Sequence, residues 1–387
     1  MTSRREVALI IDAGKHYDRQ IVRGIAAYAR DADQDWSFYV EEDTRRILPD
    51  LSTWAGDGII ANFDDRRVAR AVSEVDIPVV GIGGGYGHYD PNTGLPFVRT
   101  DNGAIGRLAA EHLLHLGFRR FAFCGEPPNR FNGWQQERAE AFTRRVQEAG
   151  FGCEKYAGRH TAARHWREMQ AKLQDWLASL APPVGLMASY DIRARHVLEA
   201  CRTLGLRVPE DVAILGVDND DIMCELATPP LTSIKQGTRR IGYEAASVLD
   251  DMLRGDEPPR LMTTVAPEGL VARRSTDIVA IEDADVTAAL QLIRQRACEP
   301  IRVQQVVDKA LVSRSTLEAR FHQYLGRSIH EEIRRLQIER ARQLLSSTNL
   351  PIKQVAQRIG IPSVQYFTVA FRRATGQTPG QFRRQNR

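Results

Sequence analysis

The 387-residue chain has no run of uncharged apolar residues long enough, at about 18, to span a bilayer as a helix. Its five cysteines, at 124, 153, 201, 224 and 298, are odd in number and form no CxxC pair or Cys/His cluster. That excludes a disulfide framework and a cysteine zinc site. No GxxxxGK[ST] phosphate loop, HExxH zinc helix or GxSxG nucleophile elbow occurs. The glycine-rich GIGGGYG (81–87) follows a strand pattern but leads into HYDPNTGLP. A dinucleotide site needs a helix N-terminus there for the pyrophosphate. His112 and His115 stand on one helical pattern with no carboxylate motif beside them, and are read as helix surface. The opening MTSRREVALIIDAG is basic, but its short apolar run meets Asp12, as a first strand does. It is not a secretory signal, and a cytoplasmic protein is expected.

Charge of one sign is scarce overall, at a net +4, but it is unevenly placed. Residues 283–387 carry 18 Lys and Arg against 8 Asp and Glu, which leaves −6 on residues 1–282. An acidic body with a basic tail is the electrostatic footprint of a nucleic-acid binder. A merely solvated basic face is the alternative.

Residues 6–275 alternate short apolar strands with amphipathic helices. The strands are VALIID (7–12), WSFYVEE (36–42), GIIANF (58–63), PVVGIG (78–83), FAFCG (121–125), GLMAS (185–189) and VAILGVD (212–218). Such alternation builds parallel sheets covered by helices on both faces. Two groups of strands predict two α/β lobes, with ligands bound beyond the carboxyl ends of the strands. The acidic stretch Asp218-Asn219-Asp220-Asp221 emerges at one such end. A metal, a cation or the hydroxyls of a small molecule would each suit it.

After RRSTDIVAIEDADV (273–286), read as containing a linker, only helical patterns remain, and they repeat. VQQVVDKALVSRSTLEARFHQYLGRS (303–328) aligns with IKQVAQRIGIPSVQYFTVAFRRATGQT (352–378), with one residue inserted. Each copy is a short apolar helix, a turn, and a second helix opening at Ser313 or Ser363, both good caps. Leu317/Phe321 and Phe367/Phe371 are i, i+4 pairs that face inward. IHEEIRRLQIERARQLLSS (329–347) makes a spacer helix between the copies. Two helix-turn-helix units on one spacer suit successive major grooves about 34 Å apart.

The tail resembles the AraC/XylS family of bacterial transcription activators, above all in IKQVAQRIGIPSVQYFTVAFRRATGQTP. The body resembles the sensor of LacI/GalR-type repressors in FVRTDNGAIGRLAAEHLLHLGFRRFAFCG, VAILGVDNDD and LTSIKQGTRRIGYEAASVLDDML. The pairing is similar to xylose-responsive regulators, with local support from YDRQIVRGI, DGIIANFDD, DIRARHVLEAC and SRSTLEARF. The resemblance implies a two-lobed α/β periplasmic-binding-protein-like (type I) sensor over 1–275, a linker at 276–284, and an all-α AraC-type domain with two helix-turn-helix units over 285–387. It implies D-xylose or a related sugar as effector, a DNA operator with paired half-sites, a homodimer that engages RNA polymerase, no cofactor and no catalysis.

The resemblance also assigns roles. Asp218 and Arg138 match the family's sugar-binding Asp and Arg, and Tyr17 and Asp18 its cleft loop. Trp134, one turn before Arg138, offers a stacking ring. Carboxylates and guanidinium suit sugar hydroxyls, and left unpaired they reject sugars lacking the right one. Alternatives stay open elsewhere. Asp220 and Asp221 cap a helix or reach the ligand; Asp64 reaches the cleft or solvent; Asp18 could instead cap a helix. The family usually places Asn-Asp where this chain has Tyr190-Asp191, so either residue could meet the sugar, or Asp191 could be a cap. Arg193 could pair with an acid.

On the DNA side the outward residues of the first recognition helix are Arg314, Ser315, Glu318 and His322, and of the second Gln365, Tyr366, Val369 and Arg372. Glu318 suits cytosine N4, Arg314 guanine or phosphate, Gln365 adenine and Val369 a thymine methyl. Arg373, Arg383 and Arg384 suit phosphates. A sugar-modifying enzyme fused to a DNA-binding tail is the rival from another class, and the motifs such an enzyme needs are absent.

Overall fold

The computed structural model describes residues 4–385 except 13, 42–50, 52–53, 73, 84–93, 130–131, 159–162, 259, 279–282, 300 and 349. The later part of the glycine-rich stretch and the middle of the expected linker therefore lie outside the described residues. The chain divides into two compact units, Met1–Ile278 and Val279–Arg387.

In the first unit the strands run β1 (Arg5–Ile10), β2 (Trp36–Glu41), β3 (Gly58–Asn62), β4 (Val79–Ile82), β5 (Phe97–Thr100), β6 (Phe121–Cys124), β7 (Cys153–Tyr156), β8 (Val184–Ala188), β9 (Val212–Val217), β10 (Thr232–Lys235), β11 (Met262–Val265) and β12 (Gly269–Val271). They form two six-stranded sheets, in the orders β11-β5-β4-β3-β1-β2 and β12-β10-β9-β8-β6-β7. Neighbours are parallel, except that β12 runs antiparallel to β10. Each sheet is one lobe.

Period-two alternation decides which face each side chain covers. In β1, Val7 and Leu9, with Ile11 just beyond, pack with Ile21 and Ile25 of α1 (His16–Asp31) and with Ile241 and Leu249 of α8 (Thr238–Leu253). Ala8 and Ile10 face the other way, toward Phe63 and Val68. In the second lobe Leu186, Ala188, Val212 and Ile214 bury against Val197 and Cys201 of α6 (Asp191–Leu204).

The chain passes between the lobes three times. The first passage joins β5 to α3 (Asn102–His115), which packs on α4 (Gly133–Glu148). The second joins β10 to α8 at Gln236-Gly237, and the third joins β11 to β12. Backbone bonds tie them together: the Asp101 N–H donates to the Val265 carbonyl at 2.9 Å, and the Glu268 N–H to that of Lys235 at 2.9 Å.

Two sequence expectations change here. The linker expected from 276 starts later, because Ser275 and Thr276 are buried in the first unit. Ser275 Oγ donates to the Ile214 carbonyl at 2.6 Å, and the Thr276 hydroxyl meets that of Thr232 at 2.9 Å. His112 is not plain helix surface either. It lies 3.0 Å from Thr276 Oγ1, and burial pushes its pKa down to about 4. His115 is exposed as expected.

The second unit is helical: α9 (Ala284–Arg296), α10 (Val303–Val307), α11 (Arg314–Leu325), α12 (Ile329–Ser347), α13 (Ile352–Arg358), α14 (Val364–Thr375) and α15 (Pro379–Gln385), after α2 (Arg66–Val72), α5 (Trp166–Ser179) and α7 (Asp221–Leu226) in the first unit. Each repeat builds its own core. Leu317 and Phe321 are buried with Val306 and Ile329, and Phe367 and Phe371 with Val355 and Leu345. Ser313 accepts from the Thr316 amide at 3.2 Å and Ser363 from the Tyr366 amide at 3.3 Å, so both caps form.

The repeat extends to the helix after each recognition helix. Ser328 and Glu331 exchange capping bonds at the start of α12, at 2.7 and 3.2 Å. Thr378 and Gln381 do the same at α15, at 2.9 and 3.3 Å. Fifty residues apart, Ile329 and Pro379 then occupy the first helical position.

Candidate binding cleft and nucleic-acid interface

The carboxyl ends of both sheets converge on one cleft. On the second lobe, α4 brings Arg138 into it. Its close approach to α3 requires glycine at 106, where a Cβ would lie 2.4 Å from the Arg138 carbonyl oxygen. Arg138 is 3% exposed and each guanidinium nitrogen is engaged. Nε donates to Asn102 Oδ1 at 2.9 Å, Nη1 to the Ser189 carbonyl at 2.7 Å and Nη2 to Gln236 Oε1 at 2.8 Å. The Trp134 ring lies over the guanidinium, 4.6 Å from its centroid. A planar cation under an aromatic face is a strong, directional pairing.

Asp218 stands just past β9 with φ +114, a backbone region that disfavours any side chain. Its amide donates to the Ile234 carbonyl at 3.0 Å, which holds that turn. Its Oδ1 accepts from Gln236 Nε2. Gln236 therefore joins Arg138 to Asp218. Burial pushes the Asp218 pKa up to about 6, against the pull of Arg138.

Asp191 does another job. Its carboxylate accepts from Ser233 Oγ at 2.6 Å and the Asp220 amide at 2.9 Å, with Cys224 Sγ at 3.5 Å. The helix cap position belongs to Tyr190. Asp191 anchors the Asp218–Asp220 turn from beneath. Burial and the nearby Asp218 charge hold its carboxyl well above the usual range. Tyr190 meets the Trp134 ring edge-on at 5.9 Å, and its hydroxyl donates to Glu126 Oε1 at 2.7 Å. Among the described residues Arg193 pairs with no acid. It is fully buried and donates to Met169 Sδ at 3.6 Å and the Ala157 carbonyl at 3.3 Å.

The first lobe offers the opposite wall. Tyr17 bonds Thr100 Oγ1 at 3.0 Å. Asp18 is 1% exposed and does not cap α1, whose cap position is Lys15. Asn62 Nδ2 reaches its Oδ1 at 3.4 Å, and its Oδ2 has no hydrogen-bond partner among the described residues. Lys15 Nζ stands 3.9 Å away. Burial lifts the Asp18 pKa to about 7, only partly offset by Lys15. Asp64 stands close enough to raise the pKa of both Tyr17 and Asp18. Of the predicted set, Tyr17, Asp18, Asp64, Trp134, Arg138 and Asp218 are thus brought together, Tyr190 borders them against Trp134, and Asp191 is taken up beneath the turn.

His16 Nδ1 lies 4.0 Å from Asp220 Oδ1, across the cleft from the other lobe. With Asp221 the three place ligand atoms within 4.8 Å of one another. Both acids already accept amides of α7: Asp220, its cap, from Met223 at 3.3 Å, and Asp221, its first residue, from Ile222 at 3.1 Å.

In the second unit the expected reading surface is mostly open: Arg314, Ser315, His322, Gln365, Val369, Arg372 and Arg373 are exposed. Two residues are otherwise engaged. Glu318 turns back, and its Oε2 accepts the Ile329 amide at 3.2 Å, so it supports the start of α12. Tyr366 is half-exposed, but Arg334 of the spacer helix lies over its ring at 4.6 Å and donates to its hydroxyl at 2.5 Å.

Known proteins match this arrangement from end to end. A family model described as the XylR N-terminal domain matches residues 6–103, a periplasmic binding protein-like domain matches 110–276 and a helix-turn-helix domain matches 306–385. The chain is 39% identical over 382 residues to the xylose operon regulatory protein of Escherichia coli strain K12, covering 99% of this chain and 97% of that one. The chain belongs to the xylose operon regulatory protein family.

The Haemophilus influenzae member of this family is 36% identical, with 98% of each chain covered. A solved xylose-binding transcription activator superposes with a TM-score of 0.78 at 38% identity, covering 100% of this chain and 99% of that one. A solved CelR–cellobiose complex matches 71% of this chain and 86% of its own, at 25% identity and a TM-score of 0.57. These relatives are regulators by name, not enzymes. The sensor-then-reader architecture expected from sequence is the family's.

Residues that sequence reasoning missed are those that connect. Glu126 and His16 carry no motif, and Asn102 and Gln236 lie inside family-like stretches that give them no role of their own. For Gln236 the available signal was its place between an apolar strand and Gly237, where the chain crosses lobes.

Proposed function

We propose that this chain is a xylose-responsive transcription activator acting in the cytoplasm as a homodimer. Sugar closes the lobes and repositions the DNA-binding units, which then recruit RNA polymerase at an operator with paired half-sites. The observation that carries this reading is the buried wall Arg138–Gln236–Asp218 facing Asp18, whose Oδ2 lacks a hydrogen-bond partner among the described residues. Buried polar groups of that kind favour a ligand rich in hydroxyls. Full-length likeness to xylose operon regulatory proteins supports the choice of sugar.

In this reading Tyr17, Asp18, Asp64, Trp134, Arg138 and Asp218 hold the sugar, and Tyr190 borders it. Arg314, Ser315, His322, Gln365, Val369, Arg372 and Arg373 meet DNA. Sugar can shift the lobes only through its different affinity for the two arrangements. A second reading, the same regulator for another pentose or related sugar, is favoured by the Tyr190–Glu126 bond, which puts a bulky ring beside Trp134 and a carboxylate on that ring's hydroxyl. Calorimetry against xylose, arabinose, ribose, glucose and galactose separates the two. Heat with xylose alone supports the first reading, heat with another sugar alone the second, and silence with all five removes both.

A further inference from the structure

We infer that Gln236, together with Asn102, is the positioning residue that ties sugar recognition to the angle between the lobes. The inference rests on the sugar reading above. Both residues sit where the chain crosses between lobes, Asn102 after β5 and Gln236 after β10. They are 2% and 3% exposed. Arg138 bonds both, through Nε at 2.9 Å and Nη2 at 2.8 Å. One guanidinium thus links two crossings that are distant in sequence.

The third crossing is held as well. Its backbone is bonded to each of the others through Asp101–Val265 and Glu268–Lys235. Beside Gln236, Gly237 has φ +75, and a Cβ there would lie 2.8 Å from the Ala266 carbonyl oxygen. The hinge is therefore one bonded bundle, and Gln236 is its link to the cleft. The Gln236 amide accepts from Arg138 with its oxygen and donates to Asp218 with its nitrogen. A sugar hydroxyl that engages Arg138 or Asp218 competes with that amide. Its binding energy is then spent at a crossing residue, where a small rotation moves a whole lobe. A buried amide between two charged groups is stiff, because losing either bond leaves a desolvated charge.

The test uses the full-length protein, D-xylose as probe, calorimetry for affinity and amide hydrogen exchange of peptides spanning 98–104 and 234–240. Without sugar, Gln236→Ala and Asn102→Ala each speed exchange in both peptides together; a change confined to the mutated peptide overturns the link. With saturating xylose the wild type gains protection in both. Gln236→Ala binds about tenfold more weakly, the loss of one charge-assisted bond, and gains no protection at the other crossing. The same protection as wild type overturns the inference.

Gln236→Glu keeps the shape and the Arg138 bond but cannot donate to ionised Asp218, which also faces Arg138, His16, Asp191 and Asp220. Its xylose affinity should rise as pH falls from about 8 to about 6, as two carboxyls come to share a proton. A pH profile parallel to wild type overturns the donor role. A wild type silent to xylose sinks the xylose reading, while the sugar-free exchange result still decides the hinge.

Discussion

The Tyr190 hydroxyl donates to Glu126 Oε1 at 2.7 Å, and the Tyr190 ring stands edge-on to Trp134, itself stacked on Arg138. One side of the cleft is thus a connected series in which each member fixes the next. Burial and the adjacent carboxylate hold the Tyr190 phenol well above its usual range, so it remains a donor. Tyr190→Phe should cost about 1 kcal/mol of sensor stability by thermal unfolding. It should also narrow the affinity gap between pentoses in calorimetry. An unchanged sugar ranking would confine Tyr190 to a structural part.

Asp18 and Asp218 should make the sensor pH-dependent. Burial pushes their carboxyl pKa values up to about 7 and about 6, from an ordinary value near 4. The folded state binds protons that the unfolded state has released, so stability falls as pH rises from about 4 through about 7. Sugar hydroxyls donate to the ionised forms, so sugar binding should release protons and tighten as pH rises through that window. Calorimetry at pH 6 and 8 in buffers of different ionisation heat measures this, and Asp18→Asn should remove most of the proton release.

Arg138→Lys keeps the charge but loses the planar fork that serves Asn102, Ser189 and Gln236 together. Sugar affinity should fall by about 100-fold or more, near 3 kcal/mol, and the unfolding midpoint should drop as well. Affinity within a few-fold of wild type would mean that charge alone is what the site needs.

Gln365 and Glu318 should separate cleanly. Exposed Gln365→Ala should weaken operator binding by about 1–3 kcal/mol and random-DNA binding little. Glu318→Ala should instead destabilise the second unit by about 1 kcal/mol, as loss of a cap does, and weaken operator and random DNA alike. Loss of base preference at one operator position in the Glu318 variant would restore it to the reading surface.

Seven of the twelve strands among the described residues, the two lobes and both recognition helices were legible because each follows a local period, and the caps Ser313 and Ser363 announce themselves three residues ahead. Arg138 and Asp218 became candidates by family likeness. What was hidden depends on partners far along the chain. Asp191 looks like a cap or a ligand until Ser233 and the Asp220 amide close on it. Glu318 faces outward by helical phase, yet its side chain is long enough to turn back to Ile329. The polar start of the linker was misleading because Ser275 and Thr276 satisfy their hydroxyls inside the first unit.

The two reading units share a fold but solve one problem differently. After the first recognition helix, Ile329 has an N–H to place, and Glu318 accepts it. After the second, Pro379 has no N–H, and Thr368, at the position matching Glu318, bonds the Val364 carbonyl of its own helix instead. The identities at 318 and 329 are therefore not independent. An Ile329→Pro change would release Glu318 from its duty and let that position acquire a base-reading residue, so across relatives the two sites should drift as a pair.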